Sequence, residues 1–223
     1  IGPSADSMNL CGDKMRCKAA MLKAEVPTVP GSPGIVDDAE QAEKIANDIG
    51  YPVLLKSVYG GGGRGIRLVT NDKELHEGFE TVTSESIAAV GKSAIIVEKF
   101  LEKTRHIEYQ MCRDKHGNTV HLFERECSIQ RRNQKLIEQT PSPVVDEAKR
   151  EEIGELVVKA AKAVDYTNLG TAEFLRADSG EFYFIEINAR LQVEHPISEM
   201  VSGLDFVKLQ LDIANGETLP FKQ

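Results

Sequence analysis

Apolar residues along the chain occur in short runs or at helical spacing, separated by clusters of glycine, proline and acidic residues. Residues 14–26 predict a short helix rich in Lys, Ala, Met and Leu. Pro27, Pro30, Gly31, Pro33 and Gly34 then break the pattern. Residues 37–49 read as a helix, with Asp37 and Asp38 near its start and Gly50 at its stop. Residues 53–57 and 66–70 read as strands around a glycine loop, and residues 94–98 as a third strand. Asn71 with Glu74 three residues on resembles a capping box and opens a helix to about Val90. Beyond residue 100 the character changes. Residues 106–112 and 119–126 are strand-like and flank the hairpin signal Asp114-Lys115-His116-Gly117-Asn118. Residues 146–164 place Ile153, Leu156, Val157, Ala160, Ala161 and Val164 at helical spacing. Residues 170–176 and 182–188 are strands around Asp178-Ser179-Gly180, and residues 199–215 are mostly helical. The fold class is α+β. Residues 1–28 read as a helical linker, 29–100 as a small α+β unit, and 101–223 as a larger unit with antiparallel strands.

Composition narrows the function. The chain has 223 residues, 41% of them apolar and 28% charged, as in an ordinary globular protein. Its net charge of −8 argues against a general binder of nucleic acid or anionic membrane. No apolar run approaches the roughly 18 residues that a spanning helix needs. The four cysteines (Cys11, Cys17, Cys112, Cys127) form no C-x-x-C pair, so free thiols in a reducing compartment fit better than zinc or disulfides. Ile1-Gly2-Pro3-Ser4 has neither the basic start nor the apolar stretch of a signal peptide, and the chain reads as an excerpt of a longer protein.

Three segments carry candidate chemistry. In the first, Lys56 leads from a strand into Gly60-Gly61-Gly62-Gly63-Arg64-Gly65. Glycines without Cβ atoms let backbone N–H groups approach an anion closely. The same run also reads as a plain surface hairpin. It matches neither the Walker pattern nor the dinucleotide fingerprint, because a strand follows it. Glu98-Lys99-Phe100-Leu101, at a strand end, could hold a purine ring and its amino group, or be an ordinary strand exit.

The second segment is the hairpin 170–188. With a four-residue loop at 178–181, Glu173 and Glu186 stand directly opposite each other on one face. Like charges so placed are destabilising. A divalent cation between them removes that cost, and carboxylate oxygens suit magnesium or manganese; the pair also reads as two solvated carboxylates, though each is hemmed by apolar neighbours. Glu186, Asn188, Arg190, Gln192 and Glu194 continue as alternate residues, and in extended chain they project to one side. Arg190 could bind a planar oxyanion in bidentate fashion, and Glu194 could serve as a general base. The third segment, residues 126–135, concentrates Arg131, Arg132 and Lys135 with amides suited to phosphate and ribose, or is a basic loop between the two units.

Together with Gly12-Asp13-Lys14, Tyr51-Pro52-Val53-Leu54-Leu55-Lys56, Arg105-His106-Ile107-Glu108 and Arg190-Leu191-Gln192-Val193-Glu194-His195-Pro196, these segments resemble the ATP-grasp family. More specifically, they resemble the biotin carboxylase component of biotin-dependent carboxylases. The resemblance implies an ATP-grasp fold in which 29–100 is the lid subdomain with the glycine loop Gly61, Gly62, Gly63, Arg64 and Gly65. It implies ATP contacts from Lys14, Lys56, Lys99, His106, Gln130 and Lys135, with Glu98 and Leu101 near the adenine and Asn133 near the ribose. Glu173, Glu186 and Asn188 are the implied Mg²⁺ or Mn²⁺ ligands. Arg190, Gln192 and Val193 are the implied bicarbonate contacts, Glu194 the base, and Arg190 and Lys135 further catalytic residues. The implied reaction is attack of bicarbonate on the γ-phosphate of ATP to give carboxyphosphate, whose carbon dioxide carboxylates biotin. The implied partners are a biotin carboxyl carrier domain, a carboxyltransferase and a second copy in a homodimer, with no nucleic acid and no membrane. The implied setting is cytoplasmic, or mitochondrial in a eukaryote. Asn133 departs from the histidine of many such enzymes. The family's N-terminal lobe and C-terminal portion, with its biotin-enolate arginine, are expected before Ile1 and after Gln223. A carbamoyl-phosphate-synthetase-like ligase and a non-catalytic nucleotide-binding or assembly fragment are the alternatives.

Overall fold

The computed structural model describes residues 1–59, 65–132 and 134–223. The chain divides into two compact units. One is formed by residues 1–28 with 103–223, the other by the inserted residues 29–102.

The chain opens with α1 (Ala5–Gly12) and α2 (Lys14–Lys23). Ser4 caps α1 by accepting from the Ser7 N–H at 3.1 Å. Asp13 ends α1 and starts α2, its carboxylate accepting from the N–H groups of Met15 and Arg16 at 3.1 and 3.0 Å. The apolar pattern offers no counterpart for α1. Residues 1–28 do not run free as a linker: Cys11, Cys17, Met21 and Val26 are buried in one core with Ile107, Tyr109, Val157 and Phe174.

In the inserted unit, α3 (Ala39–Ile49), β1 (Val53–Ser57), β2 (Ile66–Val69), α4 (Asp72–Val90) and β3 (Ile95–Lys99) follow in order. The sheet order is β2-β1-β3, antiparallel throughout, and neither ladder shifts register. β1 buries Val53, Leu55 and Ser57 in strict alternation. Asp38 caps α3, and Asn71 caps α4 by accepting from the Glu74 N–H at 3.0 Å. The reciprocal arm of the capping box lands one residue early, on the N–H and hydroxyl of Thr70. Gly31 runs so close to β3 that an added Cβ would lie 2.2 Å from the Val97 carbonyl oxygen.

The larger unit is built on β4 (Arg105–Arg113), β5 (Thr119–Arg131), β6 (Gln134–Gln139), α5 (Glu147–Ala163), β7 (Asn168–Arg176), β8 (Phe182–Asn188), α6 (His195–Ser202) and α7 (Phe206–Ala214). The five strands are antiparallel in the order β6-β5-β4-β7-β8. The supposed loop 126–135 is instead the long end of β5 turning into β6. One face of the sheet, with Ile107, Tyr109, Met111, Ala172 and Phe174, packs on α5. On the other face Cys112, Val120, Leu122 and Leu169 pack on Phe206, Leu209 and Ile213 of α7. That second face also carries Glu108 and Gln110 of β4 and Thr171 and Glu173 of β7, all buried.

Two irregularities decide which charged residues join this polar face. Near the β4–β5 turn, Met111 pairs with His121; past an extra residue in β5, Glu108 pairs with Arg125. Phe123 stands in that stretch with φ of +64°. Without the extra residue Glu124 would face Glu108. Near the β7–β8 turn, Arg176 pairs with Phe182 and Phe174 with Phe184; Ile185 is then the extra residue, and Glu173 pairs with Glu186. The turn has three residues, Asp178-Ser179-Gly180, between Ala177 and Glu181, rather than four. The expected pairing of the two glutamates is present, but the bulge at Ile185 restores it after the shorter turn would have set Glu173 opposite Ile185.

Candidate functional site

The polar face is organised by two cations. Lys135, from β6, donates to Glu108, to Glu173 Oε1 at 3.0 Å and to Glu194 Oε1 at 2.7 Å. Arg125 is fully buried, and its five N–H donors meet five acceptors. Nε donates to Glu108 Oε1 at 2.6 Å, and Nη1 to Gln110 Oε1 at 2.8 Å and Ser198 Oγ at 2.9 Å. Nη2 donates to Thr171 Oγ1 at 3.2 Å and Gln192 Oε1 at 2.9 Å. Glu108 therefore bridges both cations, one through each oxygen.

Glu173 is the other hub. Its Oε1 also accepts from Asn188 Nδ2 at 2.8 Å and Gln192 Nε2 at 3.1 Å. His106 Nε2 lies 2.9 Å from Oε2, out of line for a hydrogen bond. Burial alone would raise the Glu173 carboxyl, but His106 and Lys135 outweigh it and hold the group well below the usual carboxylate range. Burial likewise opposes the ionised Glu194, and the Lys135 ammonium overcomes it, so Glu194 also titrates low. Lys135 is held above the usual lysine range, because Glu108 and Glu173 outweigh its own burial.

The predicted residues distribute unevenly. Glu173, Asn188, Gln192, Glu194, Lys135 and His106 come together on this face, and Gln130 reaches it through a 3.3 Å contact with His106 Nδ1. Glu186 stands half-buried opposite Glu173. The extended polar face does not continue past Asn188. Strand β8 ends there, and Glu194 is already the N-cap of α6. Gln192 and Glu194 turn inward and are buried, while Arg190 and Val193 are exposed, Val193 at 89%. Arg190 still touches the group, donating to Asn188 Oδ1 at 3.3 Å. Lys14 is exposed in the first turn of α2.

In the inserted unit Lys56 donates to Glu98 Oε2 at 2.5 Å. Lys99 is tied to the carbonyls of Gly50 and Tyr51, each at 2.9 Å. Gly65, with φ of +69°, accepts from the Ser57 N–H at 2.8 Å. Leu101 is half-buried just beyond β3. Gly61, Gly62, Gly63, Arg64 and Asn133 lie outside the described residues.

The donor set fits a divalent cation: two carboxylates at paired strand positions and the amide oxygen of Asn188 are hard ligands. Among the described residues His106, Glu108 and Glu173 also bring ligand atoms within 4.8 Å of one another. The Lys135 ammonium already serves two of these carboxylates.

Residues 13–222 match the family model described as the carbamoyl-phosphate synthase L chain, ATP binding domain. The chain belongs to this ATP-binding family. It is 52% identical over its whole length to the 2-oxoglutarate carboxylase small subunit of Hydrogenobacter thermophilus, covering 47% of that protein. It is 51% identical to a biotin carboxylase of a Nostoc species, covering 50% of it. Among solved structures it resembles the biotin carboxylase domain dimer of the Hydrogenobacter 2-oxoglutarate carboxylase, in complex with MgADP, ADP and bicarbonate. There the TM-score is 0.91 at 52% identity, over 100% of this chain and 49% of that one. A biotin carboxylase from Campylobacter jejuni in complex with β,γ-ATP gives 0.91 at 48% identity, over 99% and 50%. The fold is thus α+β of the ATP-grasp kind, and the chain spans about half the length of the curated relatives it matches. Among the described residues no helix is long and apolar enough to cross a membrane.

For this member of the ATP-binding family, sequence reading passes over Arg125, Gln110, Thr171 and Ser198 as parts of the site, and gives Glu108 no role. Their signal is weak because each stands alone in a strand or helix of ordinary composition. An arginine inside Phe123-Glu124-Arg125-Glu126 reads as solvated charge until the strand proves central to the sheet.

Proposed function

We propose that the chain is the ATP-, metal- and bicarbonate-handling part of a biotin carboxylase. The observation that carries this reading is the convergence of Lys135, Gln192 and Glu194 beside the paired Glu173 and Glu186. A donor amide, a cation and a base are there adjacent to a hard-oxygen cation site. Glu173, Glu186 and Asn188 would hold Mg²⁺ or Mn²⁺, which when bound neutralises phosphate charge. Arg190, Gln192 and the Val193 backbone would take bicarbonate. In this reading Lys14, His106, Gln130 and Lys135 are nucleotide contacts, with Asn133 near the ribose. Lys56, Glu98, Lys99, Leu101 and the glycine loop are nucleotide contacts in the same reading.

Bicarbonate, deprotonated by Glu194, attacks the γ-phosphorus of ATP; ADP leaves and carboxyphosphate forms. Carboxyphosphate splits into carbon dioxide and inorganic phosphate; the phosphate takes the ureido N–H proton of biotin on a carrier domain as that nitrogen bonds carbon dioxide, for later use by a carboxyltransferase. A base held low by Lys135 is a weak one. Proton transfer to Glu194 therefore requires the Lys135 ammonium to turn from it toward the arriving anion. A homodimer and a cytoplasmic setting belong to the same reading. The alternative is a carbamoyl-phosphate-synthetase-like ligase, which makes carboxyphosphate without biotin; ATP cleavage stimulated by biotin separates the two. Calorimetric titration with MgATP tests the common core. Binding is expected in the wild type and at least about tenfold weaker in Glu186→Ala. Unchanged affinity in the variant removes the metal assignment.

A further inference from the structure

We propose that Arg125 is the positioning residue of this site. It touches no substrate, yet it sets which way Gln192 points and holds the segment that carries Glu194. The inference rests on the reading of 190–194 as the bicarbonate segment. A guanidinium only donates, so Gln192 must present its Oε1 to Arg125 and its Nε2 the other way. That amide nitrogen donates to Glu173 Oε1 at 3.1 Å, which favours the same orientation, and its second hydrogen is the one that can serve an anion. Were Arg125 absent, the amide would lose one of the two groups that fix its direction.

The second effect is on the chain itself. Residues 189–194 belong to no strand, and α6 starts at His195. Arg125 holds Gln192 on one side of Glu194 and Ser198, in the first half of α6, on the other. The segment bearing the base is thereby fixed at two points by one side chain. Glu108 supplies the compensating charge for Arg125 and, through its other oxygen, receives Lys135. Removing the guanidinium therefore also disturbs the placement of the Lys135 ammonium. A lysine in its place keeps the charge but has three donors on one nitrogen, too few and too localised for five acceptors spread over three elements and the 189–194 segment.

The test compares wild type, Arg125→Lys and Ser198→Ala. Three readouts are taken on each: broadening of ¹³C-bicarbonate resonances, MgADP affinity, and hydrogen exchange of the 189–198 amides. Arg125→Lys is expected to weaken bicarbonate at least about tenfold and to speed exchange in 189–198, with a clearly smaller loss of MgADP affinity through Lys135. Ser198→Ala, which removes one acceptor and no charge, is expected to speed the same exchange and to weaken bicarbonate about threefold. It keeps the inference falsifiable if Arg125→Lys fails to fold. Unchanged exchange in 189–198, or an equal loss of bicarbonate and MgADP binding, overturns the positioning role. A wild type that binds MgADP but shows no bicarbonate broadening overturns the bicarbonate reading instead, and the exchange data then decide Arg125 on their own.

Discussion

The inserted unit and the larger unit are both antiparallel sheets packed on helices, yet they are built by different rules. In the inserted unit both ladders run without a register shift, and the interior is Val, Leu, Ile and Ala. Its central pair, Lys56 with Glu98, keeps contact with solvent, at 29% and 14% side-chain exposure. In the larger unit three of the four ladders shift register, and charged side chains stand fully inside. Regular pairing repeats one residue environment, which serves stability. Each interruption moves a chosen side chain to the other face. The bulge around Phe123 sends Glu124 to the α5 face, where Arg150 grips it in bidentate fashion at 2.8 Å, and brings Arg125 to Glu108. The bulge at Ile185 brings Glu186 to Glu173.

The contrast can be broken most forcefully at a bulge. Deletion of Ile185 closes the bulge and leaves Phe184 opposite Phe174 and Glu186 opposite Glu173, whereas exchange of Ile185 with Glu186 sets the isoleucine opposite Glu173 and the carboxylate on the bulge. Manganese binding, followed by electron paramagnetic resonance, is expected to persist in the deletion and to vanish in the exchange. Retention of binding after the exchange would mean that the pairing is irrelevant to the metal. Next in size is Arg150→Met, which leaves Glu124 buried with the Ser142 N–H, 3.0 Å away, as its remaining carboxylate donor. Breaking such a pair costs about 3–5 kcal/mol, measurable by urea denaturation. A loss under about 1 kcal/mol would show that the buried charges of this unit contribute no more than surface pairs do.

A smaller effect is expected from acid. Burial lowers the His121 pKa from 6.5, an effect opposed by Glu124 and reinforced by Arg150. Its contribution to stability is then complete above pH 6.5 and is lost as pH falls through the folded value, because the unfolded chain takes up the proton first. The slope is at most about 1.4 kcal/mol per pH unit. It is expected to disappear from the pH dependence of unfolding in His121→Phe, and an unaltered slope would assign it to other groups. The smallest change is Lys56→Met in the inserted unit. It should cost less than about 1 kcal/mol, since both partners retain water. A loss of several kcal/mol would erase the distinction between the units.

How much of this the sequence discloses follows the same division. In the inserted unit, alternation and capping residues place β1, β2, β3 and both helices to within a residue or two, because each local preference agrees with the final packing. In the larger unit the pairing of Glu173 with Glu186 is legible, but through an assumed turn that is one residue too long. The reading of 186–194 as one extended face fails after Asn188, since alternation of residue type does not reveal where a strand stops and His195-Pro196 begins a helix. Strand β6 escapes notice because its Leu136 and Ile137 are exposed on an edge and mimic a basic loop. Arg125 is illegible for a deeper reason. Its burial depends on an extra residue two positions earlier, and nothing in the composition of Phe123 announces that extra residue.

A bulge is finally a matter of counting rather than of chemistry. Ile185 and Phe123 are both partly exposed, at 38% and 42%, so their side chains bear little on the interior. Over generations these two positions should therefore drift widely in residue type. A single-codon deletion there leaves the pairs on either side in phase and should be tolerated far better than a deletion at a paired position of the same strand.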